Sequence, residues 1–218
     1  MKNKKVKKAT KKEIATIKTL FLAHYPDSIT ELNYKNLYEL LIAVMLSAQC
    51  TDKRVNIISP ALFEAYPNPI ALANAELDEV KSYLNTCSFF NNKAKNLIKM
   101  AQTVIENYQG EIPLERDELV KLAGVGQKTA NVVMIEYAQA NLMAVDTHVF
   151  RVAHRLGLSD ATTAIKTEED LTKKFKTDLH LLHQAMVLFG RYHCKAVKPA
   201  CEGCYMTDYC RTSETFRV

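Results

Sequence analysis

Between Asn92 and Tyr108 the chain repeats one pattern: Ala94, Leu97, Ile98, Ala101, Val104 and Ile105 recur every three or four residues, and Gly110 follows as a stop. Apolar side chains at that period line one face of an α-helix and would scatter to both faces of a strand. The same period runs through most of the chain. Ile14, Ile17, Leu20 and Phe21 form a first helical face, ended by Tyr25-Pro26-Asp27. Leu37 to Ser47 is apolar throughout, which predicts a helix central to a core. Thr51 or Asp52 caps a helix running to about Tyr66, where Pro67 and Pro69 break it. Further helices are expected over 77–84, 115–122, 127–137, 147–156, 168–175 and 179–189. No convincing period-2 run occurs, and 6 Gly and 6 Pro in 218 residues leave few turns for a many-stranded fold. The expected class is all-α.

The length allows one domain or two small ones, at roughly 100–200 residues each. A formal charge of +5 suggests a nucleic-acid partner, but seven of the lysines lie between Met1 and Lys12, read as a flexible basic tail, and the rest of the chain carries −2. Any binding to DNA therefore has to rest on local groups rather than on net charge. The longest strongly apolar stretch, Leu40 to Ala48, is far short of the ~20 residues that span a bilayer. Glu13 and Lys18 interrupt what would have to be the apolar part of a secretory signal. The expectation is a cytoplasmic monomer with no membrane contact, in which thiols stay reduced.

Leu122-Ala123-Gly124-Val125-Gly126-Gln127-Lys128-Thr129-Ala130-Asn131-Val132-Val133 sets two glycines between a helix and the start of the next. Glycine admits the left-handed angles of a tight hairpin, and the free N–H groups of the following helix suit a phosphate oxygen. The plain alternative is a helix-helix turn with no ligand. The spacing is not that of a Walker loop. Lys128 lies in the first helical turn, where the dipole disfavours a cation, so a reason other than stability is sought. An ordinary lysine amine is neutral in only about one molecule in 2,500 at pH 7, and dipole repulsion or burial raises that fraction. Such an amine could attack a sugar carbon. Asp146, in Val145-Asp146-Thr147-His148, reads first as an N-cap, and a capped carboxylate is also fixed in direction for stabilising positive charge. His148 and Arg151 are candidates for phosphate, with core packing or surface pairing as the alternative. Cys194, Cys201, Cys204 and Cys210 crowd a segment too short to build its own core. Their chemistry leaves zinc and a [4Fe-4S] cluster both open.

The hairpin, Val-Asp-Thr-His and Phe-Gly-Arg-Tyr-x-Cys with this cysteine spacing together resemble the endonuclease III family of bacterial DNA glycosylase/AP lyases. The likeness runs from about Thr30, through Leu41-Ile42-Ala43-Val44-Met45-Leu46-Ser47-Ala48-Gln49, to Cys210. It implies a [4Fe-4S] cluster on the four cysteines and two helical lobes with DNA across the cleft between them. Residues 31–141 would form a six-helix barrel with a helix-hairpin-helix at about 115–137, and 13–30 with 142–218 the cluster lobe. It implies Lys128 as the nucleophile and Asp146 as the essential carboxylate, acting on duplex DNA that contains damaged pyrimidines or abasic sites. The implied activity removes an oxidised pyrimidine and cuts on the 3′ side by β-elimination through a Lys128 imine.

The hairpin residues Gly124, Val125, Gly126 and Thr129 become expected DNA contacts, and Gln49 the residue expected to fill the gap left by the flipped nucleotide. One departure from the family is Ser88-Phe89-Phe90-Asn91 where Gly-Leu-Tyr-Asn is expected, which would make Phe89 the wedge. Another is Gln127 in place of a common arginine; Arg191, Lys195 and Lys198 are candidates to restore that phosphate contact. A monofunctional mismatch glycosylase and a non-catalytic DNA-binding module are the rival readings. The adenine-removing relatives carry a glutamate in the segment that here reads Leu41 to Met45, which has none.

Overall fold

A computed structural model of the chain describes residues 7–212. Among the described residues eleven α-helices, one π-helical turn and one 3-10 turn make up the regular structure, with no strand, as the periodicity predicts. No helix among them is long and apolar enough to cross a membrane. The segment Thr30–Ala138 forms one compact unit, and the chain on either side of it, up to Ile29 and from Gln139, forms another.

The continuous unit is built around helix α2 (Leu37–Ser47), on which every residue from Tyr38 to Leu46 is buried. An all-round apolar helix has nowhere else to go. Asn36 caps it by accepting from the Glu39 N–H, and the Glu39 carboxylate accepts from the Lys35 N–H at 2.8 Å. Around it lie α3 (Asp52–Ala65), α4 (Pro69–Ala73), α5 (Leu77–Leu84), α6 (Phe90–Tyr108), α7 (Arg116–Leu119) and α8 (Gln127–Ala138). Ala94, Leu97, Met100, Ala101 and Val104 are the buried stripe of α6, while Ile105, expected on that face, is 37% exposed. Helix α3 ends at Ala65, where the break before Pro67 is expected, and Pro69 also starts the next helix. Asn68 accepts from the Ala71 N–H at 2.9 Å, and proline at the first helical position surrenders an N–H that had no partner. Helix α7 is a single turn, shorter than the 115–122 expected.

The discontinuous unit joins α1 (Lys11–His24) to α9 (Thr147–Arg155), α10 (Ala164–Phe175) and α11 (Leu179–Leu188), which runs on into a π turn over Phe189–His193. Ile17 and Phe21 of α1 share a core with Val149, Val152, Leu171, Phe175, Leu182, Met186 and Phe189. The Phe21 and Phe189 rings meet edge to face at 5.6 Å. Helix α10 starts four residues before the expected Glu168 because Thr163 accepts from the Lys166 N–H.

The lysine-rich start is shorter than the sequence suggests. Of the tail expected over 1–12, residues 1–6 lie outside the described residues, and Lys11 and Lys12 open α1 behind a capping box of Thr10 and Glu13. The Ala9 N–H donates to Gly157 O at 2.9 Å, and Arg211 Nε donates to Lys7 O at 3.1 Å. A Cβ at Gly157, where φ is +67°, would come within 2.6 Å of Lys7 O, so glycine there makes room for the strand of chain that crosses it.

Candidate functional site

The two hairpin glycines serve different ends. Gly124 has φ +79°, and a Cβ there would stand 2.9 Å from Asn96 of α6, so both its backbone angle and its lack of side chain are needed inside the protein. Gly126 has no positive φ, and a Cβ there would meet no atom within 4 Å. Among the described residues nothing uses that space. Val125 is buried, as are Leu122, Ala130 and Val133, which anchor the turn. Arg116 Nε donates to Asn131 Oδ1 at 2.7 Å and ties α7 to α8. The first N–H groups of α8 have no intrahelical partner, by helix geometry. Lys128 is exposed in that first turn and Thr129 half-buried.

Gln49 and Phe89 share an unusual backbone. Their φ angles are +54° and +58°, a left-handed region that costs a non-glycine residue about 1–3 kcal/mol and persists only where neighbours over-determine it. Gln49 follows the end of α2, and Phe89, 62% exposed, precedes α6. The sequence motif alone carries no sign of this strain. Nor does it single out Lys93, which is buried on α6.

In the other unit, Asp146 caps α9, accepting from the Val149 N–H at 2.7 Å, and is half-buried. The capping role expected from sequence is thus present, and it fixes the carboxylate's direction. Arg151, a candidate for phosphate, is instead occupied within the protein. Its Nε donates to Cys194 O at 2.9 Å, and Nη2 lies 2.6 Å from Gly190 O and 3.1 Å from His148 Nδ1. His148 in turn packs against Gly190, where a Cβ would approach its own Cβ to 2.9 Å. Arg191 is half-buried, while Lys195 and Lys198 are exposed.

Cys194, Cys201, Cys204 and Cys210 line one pocket of about 410 Å³ of free space, part of it open to solvent. Arg155 frames it, donating from Nη1 to Cys194 Sγ at 3.2 Å and to Lys195 O at 2.8 Å. Burial pushes the Cys194 and Cys204 thiols above their ordinary range, with the Arg155 bond opposing this at Cys194. Thiols that are costly to ionise alone suit a cationic group that holds them as thiolates. All six cysteines are free of disulfides.

Residues 42–177 match the HhH-GPD superfamily base excision DNA repair protein family. The chain is 42% identical over 192 residues to endonuclease III of Bacillus subtilis, covering 87% of this chain and 88% of the relative. It is 40% identical over 193 residues to that of Escherichia coli K12, covering 87% and 90%. Among solved structures, a trapped endonuclease III-DNA covalent intermediate superposes with a TM-score of 0.91 at 41% identity, over 95% of this chain and 98% of that one. A thermostable thymine-DNA glycosylase, at 22% identity and a TM-score of 0.83, shares the fold.

Proposed function

Since this chain belongs to the endonuclease III family of HhH-GPD base excision repair proteins, we propose that Lys128 is its nucleophile and Asp146 its essential carboxylate. The protein is a bifunctional DNA glycosylase and AP lyase acting on double-stranded DNA. Its substrate class is the oxidised pyrimidine, extruded from the stack at an unpairing cost that damage lowers. The Lys128 amine attacks C1′ of the flipped nucleotide and the base departs with the electron pair of the glycosidic bond. The sugar ring opens to an imine, and loss of a C2′ proton expels the 3′ phosphate. The capped Asp146 carboxylate stabilises the positive charge that develops on the sugar.

The observation that carries this reading is the exposed amine of Lys128 in the first turn of α8, directly behind a hairpin whose Gly126 side is open. The hairpin N–H groups of Gly126 to Thr129 would receive a phosphate, fixing the strand beside that amine. Support also comes from the likeness to a trapped covalent endonuclease III-DNA intermediate. Borohydride present during turnover should capture a protein-DNA adduct on an oxidised-pyrimidine duplex. Its absence with the wild-type chain would refute the covalent route, and Lys128→Ala should abolish it. The mismatch-glycosylase alternative predicts intact abasic sites as the product; α2 offers it no acid between Leu41 and Met45.

We assign a [4Fe-4S] cluster to Cys194, Cys201, Cys204 and Cys210. A tetrahedral zinc draws its sulfurs to about 2.3 Å from one point. The four cysteines line one pocket and supply the number of thiolates that a [4Fe-4S] cluster takes. A bound cluster would cross-link this segment and offer one-electron redox capacity. Purified protein should be brown with about four irons per chain; a colourless preparation with stoichiometric zinc would refute the assignment. Six cysteines without a disulfide accord with the reducing cytoplasm, where we place this protein as a monomer.

A further inference from the structure

We propose that Lys93 is a positioning residue for base extrusion, a buried strut that sets Gln49 and Phe89 together. The inference rests on the reading of those two as the residues that fill the gap in the duplex. Lys93 Nζ donates to Leu46 O and to Ala48 O, both at 2.7 Å, and lies 3.1 Å from Cys87 Sγ. The two carbonyls belong to the open end of α2, where orphan acceptors and the negative end of the dipole both favour a cation. Ala48 is the residue before Gln49. The backbone of Lys93 meanwhile donates its N–H to Phe89 O at 3.1 Å, closing the first turn of α6. One residue is thus bonded through its side chain to the neighbour of one left-handed residue and through its main chain to the other. Cys87, two positions before Phe89, is held by the same ammonium and points its thiol at Leu46 O at 3.6 Å. The bends at Gln49 and Phe89 are sparsely populated conformations that need such outside support. A lysine serving only as core filler would not need the two Nζ bonds; an apolar side chain fills the same volume without a buried charge and makes the same main-chain bond.

The strut acts where a base has to be kept out of the stack. An abasic nucleotide has no base to unpair, so its cleavage depends on the strut far less. Lys93→Met, read in single turnover at saturating enzyme, should therefore slow excision of an oxidised pyrimidine by about tenfold or more while cleavage at a preformed abasic site falls by less than about threefold. Lys93→Gln, which keeps donors but no charge, should recover part of the loss. A 2-aminopurine placed opposite the lesion should brighten less with the Met variant than with wild type. An equal fall on both substrates, or none, overturns the proposal; if the Met variant does not fold, the same comparison on the Gln variant decides. Phe89→Ala and Gln49→Ala are run beside them, because full excision by both would overturn the reading of the probing residues rather than the role of the strut.

Discussion

Replacing each hairpin glycine with alanine separates what the fold needs from what DNA needs. At Gly124, alanine would be forced into a left-handed φ, at about 1–2 kcal/mol. Its Cβ would also press on Asn96 Cβ at 2.9 Å, adding about 1–3 kcal/mol of overpacking, since that atom is anchored to α6 and cannot swing away. Gly124→Ala should thus lose about 2–5 kcal/mol in urea unfolding, enough to lower Tm by several degrees. At Gly126 neither cost exists, and alanine should lie within about 0.5 kcal/mol of wild type or above it, by narrowing the unfolded ensemble. The space it fills is the one left open for a phosphate at the start of α8. Binding to a duplex with a non-cleavable abasic analogue, followed by fluorescence anisotropy, should weaken about tenfold, equivalent to 1.4 kcal/mol. If Gly126→Ala binds as wild type does, or unfolds as early as Gly124→Ala, the division of labour between the two glycines is refuted.

Asparagine caps as well as aspartate, so Asp146→Asn should hold Tm steady while excision collapses; equal losses of stability and rate would reduce Asp146 to a cap. The Arg211 guanidinium and the Thr10 N–H hold the Glu13 carboxyl at about 2, against an ordinary 4.5. A depressed carboxyl stabilises the fold above about pH 4.5 and loses that contribution as pH falls towards 2, so Glu13→Gln should lower stability at neutral pH, change it little near pH 2, and thereby flatten this part of the acid unfolding curve. Removing residues 1–6 takes away three lysines, each able to lower the salt slope of DNA binding by about 0.9, yet should spare single-turnover chemistry at saturating enzyme. Removal through Lys12 takes the α1 cap as well and should also lower Tm.

Helices were legible wherever one face is apolar, because the 3.6-residue period survives without any knowledge of neighbours. Pro69 reads in sequence only as a breaker although it begins a helix, and the Asn68 bond to Ala71 is what marks that start. Lys128 behind its glycine hairpin, the Asp146 cap and the four cysteines are legible as spaced residue types. Lys93 is not: on a helix whose other lysines are half-buried at most, its neighbours in sequence carry no mark of the α2 carbonyls that surround it. The partners of Arg151 are hidden for the related reason that Cys194 O and Gly190 O are distant in sequence and are brought to it by α11 and the turn beyond. The two hairpin glycines look equivalent in sequence, and the left-handed φ of Gly124 together with the position of Asn96 separates them.

The contact between Phe21 and Phe189 has a consequence for biosynthesis. Some 170 residues separate the two rings, and at about 5–20 residues per second the ribosome takes roughly 8–35 s to deliver the second after the first. Thr30–Ala138, being continuous, can complete its core during that interval. Helix α1 cannot, and Ile17 and Phe21 wait in water as a sticky, unfinished surface. The apolar face of the nascent amino terminus is therefore a part of this enzyme exposed to chaperones and proteases, and translation rate between Phe21 and Phe189 sets how long that exposure lasts.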